Sequence, residues 1–209
     1  MRRPNPDQRV DDSIRTFAEF KPREVHKLTG MAPALQRLWR RRGQMPLSDG
    51  DAQPITVHVV AEIYVRHQLG LGGLPPSESA NIAAEAAPIV LWFALLNTEG
   101  ACAVVGSKNE VAEFIDQFAH DHELATQISG ISSEKAYRYL YRYGGRGTFQ
   151  FAMDEKAVFN SRKFTLLSIL DLEEIGTLLG SRAGRPLLTV EIPSDGVPRS
   201  MWERRLTSA

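Results

Sequence analysis

The stretch "REVHKLTGMAPALQRLWRRRG", from Arg23 to Gly43, predicts two short helices joined by a turn. Val25 and Leu28 lie three residues apart, as on one face of a helix, and Gly30 can end that helix in a left-handed conformation. Pro33 suits the first turn of a second helix, where its missing N–H is not needed. The second helix also has the spacing of a buried stripe, at Leu35, Leu38 and Trp39. The remaining positions would then face solvent or a ligand, and they are Gln36, Arg37, Arg40 and Arg41.

Basic residues are concentrated in this stretch, although the whole chain of 209 residues has a formal net charge of zero. Between Phe20 and Pro46 the chain has seven Lys or Arg residues and one acid, Glu24, which leaves this segment at +6. A basic module within a neutral chain is typical of a surface that meets phosphate. An ordinary solvated helix can carry the same arginines, so charge alone does not decide between the two interpretations.

A loop and two further helices follow the basic stretch. The segment "QMPLSDGDAQP", Gln44–Pro54, combines two prolines with a Ser-Asp-Gly-Asp cluster, which predicts a tight loop or hairpin. A third helix is predicted from about Val57 to Leu69, and after a glycine-rich turn Ser77 can cap a fourth. The segment "NTEG", Asn97–Gly100, ends that helix.

In this order, the segments resemble the DNA-binding domain of the MerR family of winged helix-turn-helix regulators. The residues that carry the resemblance are Leu28, Thr29, Gly30 and Met31, then Pro33 and Arg37 to Gly43, and then Gly70 to Glu78. The resemblance covers about 77 residues, from Phe20 to Leu96. It implies that the second helix enters the major groove of DNA and that the loop after it forms a wing.

The chain also departs from the family pattern. Ala32 stands where relatives often have a capping Ser, Gln36 replaces an apolar residue, and Leu38 replaces a frequent Tyr. The wing carries Asp49 and Asp51 where a basic residue would contact phosphate, so the second helix must supply more of the affinity. The family's long dimerising helix is missing because Gly100 interrupts the chain, and the cysteine set of its metal sensors is missing too.

The resemblance and the charge distribution together predict a DNA-binding surface. Its expected members are Lys21, Arg23, Lys27, Thr29, Gln36, Arg37, Arg40, Arg41 and Arg42. The cations would neutralise phosphates, whereas Gln36 or Arg40 could reach base edges. If about four phosphates are met, the log-log dependence of affinity on salt should have a slope of about −4.

The second half of the chain predicts a small α/β unit. It reads as a strand at "ACAVV", a helix opened by a capping box at Ser107 and Glu110, a hairpin from Tyr137 to Met153, a helix capped by Asp171, and a closing strand. An extra short strand is predicted near "AVFN". The predicted fold class is therefore α+β: an N-terminal all-α winged helix-turn-helix domain, followed by a small α/β sandwich domain with the β-α-β-β-α-β order of ferredoxin-like folds.

Alternating tyrosines and arginines in the hairpin allow two interpretations. Tyr137, Tyr139, Tyr141 and Tyr143 share one face, and Arg138 and Arg142 lie on the other. Exposed tyrosines could stack on RNA bases, but a tyrosine row also serves well to cover a core. We favour the core interpretation, in which the tyrosine face packs against helices and the arginines look outward, because one face of the sheet must pack against helices.

The predicted domains are a flexible arm at 1–17, the MerR-like domain at 18–97, an α/β domain for dimerisation or sensing at 100–195, and a tail at 196–209. The single cysteine, Cys102, excludes a disulfide within the chain. The amino terminus has no apolar segment behind its arginines, and the run "APIVLWFALL" is too short to span a bilayer. These features predict a cytoplasmic, nucleoid-associated protein that does not enter membranes.

No enzyme signature is found in the sequence, which contains no Gly-x-Ser-x-Gly, phosphate-binding glycine loop or His-Glu-x-x-His. The segment "HDHE", residues 120–123, could hold a metal but more often forms a solvated helix end. We therefore expect no catalysis, cofactor or metal. The predicted function is a sequence-specific, homodimeric transcriptional regulator that binds double-stranded DNA, with room for a small-molecule or protein effector at its C-terminal domain. The alternative is a non-enzymatic architectural or protein-interaction module whose arginine helix binds without DNA sequence specificity.

Overall fold

The computed structural model describes residues 14–45, 54–109, 111–112, 131, 135–144, 147–160 and 166–192, and they form a mixed α+β fold. The helices are α1 Pro22–Thr29, α2 Pro33–Arg41, α3 Val57–Leu71, α4 Pro76–Asn97, α5 Glu155–Phe159 and α6 Leu172–Ala183. The strands are β1 Ile14–Phe17, β2 Glu19–Phe20, β3 Ile55–Thr56, β4 Cys102–Val105, β5 Tyr139–Tyr143, β6 Gln150–Ala152, β7 Leu167–Asp171 and β8 Leu188–Glu191.

The two short helices predicted from the opening stretch are confirmed. Helix α1 ends at Gly30, which has a φ of 74° and donates its backbone N–H to the carbonyl of His26 at 2.9 Å. This left-handed conformation suits a residue without a Cβ. Helix α2 begins at Pro33, as the sequence predicts, and it ends at Arg41, two residues before Gly43 at the end of the basic stretch. Helix α4 begins at Pro76, one residue ahead of the predicted cap at Ser77.

Helices α3, α4 and α6 pack against one another and form the centre of one continuous core. That core runs from Phe20 near the start of the described residues to Ile192 near their end. Helix α4 therefore lies between a helix of the first predicted domain and a helix of the second. The predicted division at Asn97–Gly100 marks a turn in the chain, but it does not separate two hydrophobic cores.

A glycine lets α4 and α6 approach closely. A Cβ added at Gly176 would lie 2.5 Å from the carbonyl oxygen of Val90 and 2.8 Å from the Cβ of Phe93. We expect Gly176→Ala to lower the free energy of unfolding by about 2 kcal/mol, because the added methyl group pushes two buried helices apart. For a chain of this size, the loss corresponds to a fall in Tm of roughly 4–8 °C in thermal unfolding monitored by circular dichroism.

Gly70→Ala is the matched control, since Gly70 also lies in a helix but has nothing within 4 Å of its added Cβ. The better helix propensity of alanine should leave the stability unchanged or raise it by up to about 1 kcal/mol. Equal stabilities for the two variants would show that the contact between α4 and α6 is looser than described.

Helix α4 is long and apolar enough to cross a membrane. It has 22 residues and contains an 18-residue window with a mean hydropathy of 1.5. Its length goes beyond the ten-residue apolar run on which the sequence prediction rested. In the folded chain 61% of that window is buried by protein, which is the behaviour of a core helix.

Two three-stranded sheets take the place of the single ferredoxin-like sheet that the strand order suggested. One has the order β1-β8-β4, with β1 antiparallel and β4 parallel to β8, and the other has the antiparallel order β6-β5-β7. Strand β8 has both edges occupied, so it cannot also join the hairpin. Residues 14–17 of the predicted flexible arm form one of those edges, because Arg15 and Phe17 align with Val190 and Leu188.

The predicted hairpin is confirmed, and Tyr139 and Tyr141 are covered as expected. The expectation that the arginine face looks outward is wrong, because Leu140 on that face lies in the main core and the Nε atom of Arg142 is buried. Tyr139 and Tyr141 are buried in a small cluster with Ala152 and Val158. The cover is helix α5, which begins after Asp154 caps it by accepting the Ala157 N–H at 2.8 Å. The extra strand predicted near "AVFN" is therefore wrong, since an aspartate cap and a single apolar contact through Val158 stabilise a short helix there.

Candidate nucleic-acid interface

Hydrogen bonds fix the turn between α1 and α2. The hydroxyl of Thr29 donates to the carbonyl of Val25 at 2.7 Å and accepts the N–H of Met31 at 3.1 Å. The side-chain amide of Gln36 donates to the carbonyl of Met31 at 2.9 Å. Because these groups are buried and paired, the two helices are held at one fixed angle.

Two predicted DNA contacts are therefore wrong, Thr29 and Gln36. Thr29 is 1% exposed and Gln36 is 5% exposed, so neither side chain can reach a base or a phosphate. The physical reason is that the turn uses both side chains for its own hydrogen bonds. Thr29 pairs with the backbone of Val25 and Met31, and Gln36 donates to the carbonyl of Met31, so the buried polar groups of the turn are satisfied by these side chains.

The outward face of α2 is formed by residues one turn apart. Ala34, Arg37 and Arg41 are exposed, whereas Trp39 is buried on the opposite side at 4% exposure. Arg40 is half-buried at the edge of this face. The helix thus presents Arg37, Arg41 and Ala34 to solvent, while its buried side keeps its orientation fixed.

The other predicted cations are mostly exposed. Those on the surface are Lys21, Arg23, Lys27 and Arg42. Asp49 and Asp51 of the predicted wing lie outside the described residues. At the base of that loop, β2 pairs with β3, Phe20 with Ile55, so the chain leaves α2 and returns beside the start of α1.

Helix α2 is attached to the rest of the protein through Trp39. The guanidinium carbon of Arg66 lies 5.6 Å from the centre of the Trp39 ring, in a cation–π arrangement. Arg66 is itself 5% exposed, and it donates to the carbonyl of Pro76 at 2.9 Å and pairs with Glu62 at 3.5 Å. Arg66 therefore joins α2 to the turn between α3 and α4.

Two arginines near the end of α6 hold α1 in place. Arg182 donates to the carbonyl of Leu28 at 3.2 Å and to the hydroxyl of Tyr64 at 3.0 Å. Arg185 lies 4.5 Å above the ring of Phe20 and 3.6 Å from the carboxylate of Glu24. Sequence reasoning missed Arg66, Arg182 and Arg185, because each contacts a segment that is distant along the chain. Two arginines close to Gly184, the glycine after α6, were the one feature of the sequence that could have drawn attention to this contact.

Lys27 lies beside the same helix end. Its Nζ is 3.8 Å from the position that a Cβ would take on Gly184, the C-cap of α6. The carboxyl end of a helix carries partial negative charge, which stabilises a nearby ammonium group. Lys27 therefore supports the contact between α1 and α6 in addition to any role at phosphate.

Other chemistry has little support in the described residues. Within them, no group of three or more His, Cys, Asp or Glu side chains is placed to hold a metal, and residues 120–123 lie outside. Burial raises the pKa of the Cys102 thiol to about 11, so little reactive thiolate forms at neutral pH.

Comparisons with protein-family models, with curated proteins and with solved structures each found no match to this chain.

Proposed function

We propose that this protein is a sequence-specific DNA-binding transcriptional regulator of the winged helix-turn-helix kind, with α2 as its recognition helix. The observation that supports it best is the outward face of α2, where Arg37 and Arg41 project from a helix whose other side is fixed by Gln36 and Trp39. Rigid presentation favours base recognition, because little side-chain and backbone order is lost on binding.

The residue types of this face match the chemistry of the major groove. An arginine can donate two parallel hydrogen bonds to O6 and N7 of guanine, and alanine fits against the methyl group of thymine. Arg37 and Ala34 lie in the first half of α2, which is the part of a recognition helix that contacts base edges. Arg41 and the half-buried Arg40 follow one turn later and are suited to phosphate.

The loop after α2 completes the proposal. Its C-terminal end is held where β3 pairs with β2, Ile55 beside Phe20, so the chain returns from the loop next to the start of α1. We further propose a homodimer in the cytoplasm, associated with the nucleoid, because one short helix specifies few base pairs unless two half-sites are read together. The C-terminal residues would serve self-association or sensing.

Selection of binding sites from random double-stranded DNA by the purified full chain tests the proposal. We expect enrichment of a short inverted repeat, and a log-log salt slope of about −4 for each protomer. A slope near zero would overturn DNA binding itself. Binding that unrelated DNA competes away equally well would instead support the alternative, an architectural module without sequence preference.

A further inference from the structure

A cavity lies on the side of the protein formed by the hairpin sheet. Its volume is about 290 Å³, and it separates the turn between α3 and α4 from strands β5 and β7. Its walls include Leu69 and Leu74 on the helical side and Phe149 and Leu170 on the sheet side. The size and the mainly apolar lining are those of a site for a small organic molecule.

Among the residues that the structure describes, one charged group faces this apolar space. Arg142 lines the cavity, and its guanidinium carbon lies 4.7 Å from the centre of the Phe149 ring, which fixes the plane of the group. Its Nε atom is buried and has no hydrogen-bond partner among the described residues. A buried charged donor without an acceptor is costly, so an acceptor supplied by a ligand would be bound strongly.

Two further polar side chains lie around the same space. Ser168 is the cross-strand neighbour of Arg142 in the pairing of β5 with β7, and Gln68 extends from the last turn of α3. A guanidinium, a hydroxyl and an amide can together hold both oxygens of a carboxylate, while the leucines and Phe149 contact an apolar body.

We propose that this cavity binds a small apolar carboxylate, with Arg142 pairing with its charge. The ligand would also contact Leu74, which lines a further cavity beside Leu35 and Trp39 of α2. Leu74 therefore lies between a ligand in the first cavity and Leu35 and Trp39, the residues through which α2 packs on the core. None of the residues assigned to this site belongs to the proposed DNA-binding face of α2. The carboxylate site can therefore exist even if the protein does not bind DNA.

Titration of the full chain with 4-phenylbutyrate tests the site, and 4-phenylbutanamide is the uncharged probe of the same shape. Calorimetry should show that the carboxylate binds and that Arg142→Met weakens this binding by about tenfold or more. The amide should bind weakly to both proteins. In nitrogen-15 spectra, the Nε–H signal that is lost in Arg142→Met should shift in the wild type when the carboxylate is added.

A second variant keeps the test decisive if Arg142→Met does not fold. Ser168→Leu leaves the guanidinium in place but fills part of the cavity, so it should also abolish binding of 4-phenylbutyrate. Lys156→Ala, on α5, removes a surface charge elsewhere and should bind as the wild type does. Absence of binding to the wild type, equal affinity for the amide, or unchanged affinity in a folded Arg142→Met or Ser168→Leu variant would overturn the proposal.

Discussion

Replacing Arg37 and Arg41 together by alanine should weaken binding to the selected DNA site by roughly 30-fold or more. Each arginine that contacts a base or a phosphate contributes about 1–3 kcal/mol, and the two side chains project from the same exposed face of α2. Their removal should also reduce the salt slope by about one, since the phosphate contact proposed for Arg41 is lost. Fluorescence anisotropy with labelled DNA at several salt concentrations measures both quantities. The fold should be unaffected, because both side chains are exposed.

Lys108→Ala with Lys156→Ala is the control for net charge, since it also removes two exposed cations, but from the β4 end and from α5. It should change the affinity less than about twofold if recognition is local to α2. Arg37→Lys with Arg41→Lys keeps the charge and removes the bidentate geometry, so it should retain binding to random DNA and lose preference for the selected site. If the alanine and control pairs weaken binding equally, α2 is not the recognition helix.

Trp39→Ala should produce the largest loss of stability of any change suggested by the structure. Trp39 is 4% exposed and supplies the ring over which Arg66 lies. Truncating a buried tryptophan costs about 3–5 kcal/mol, and the loss of the ring would also remove one of the contacts that hold α2 against the core. Thermal unfolding should show a fall in Tm of roughly 6–20 °C. Specific DNA binding should be lost as well, although no outward-facing side chain has changed.

Trp39→Phe is the milder variant for comparison, because phenylalanine fills part of the same space and retains an aromatic face for Arg66. Its loss of Tm should be clearly smaller, and measurable DNA binding should remain. If Trp39→Ala kept the Tm of the wild type to within about 2 °C, α2 would be anchored by contacts other than this ring.

Local signals predicted the helix ends well. Pro33 starts α2, Gly30 ends α1, and Asp171 caps α6 by accepting the N–H of Glu174 at 3.1 Å. Each of these features depends on a few neighbouring atoms, which is why the sequence alone reveals them. Gly184 follows α6 as its C-cap in a left-handed conformation, with a φ of 64°.

Contacts between distant segments could not be predicted. The pairing of Ile14 with Glu191 joins the two ends of the described chain, and nothing in residues 14–17 indicates which strand they will join. Gln36 was misplaced for a related reason. Its polarity suggested solvent, but the backbone of the turn at Met31 requires a donor, and only the folded turn shows that the amide supplies it.

Helix α1 lies between α3 and α6, and α4 is covered on one side by α6 as well. A domain with its own hydrophobic core can be joined to a new partner domain by gene fusion, because each part folds without the other. Here a graft ending at Asn97 would expose the side of α4 that accommodates Gly176, and would remove the arginine that caps Leu28. For the regulator proposed above, new inputs would therefore have to arise by substitution or loop insertion within this fold, and not by exchange of its C-terminal half.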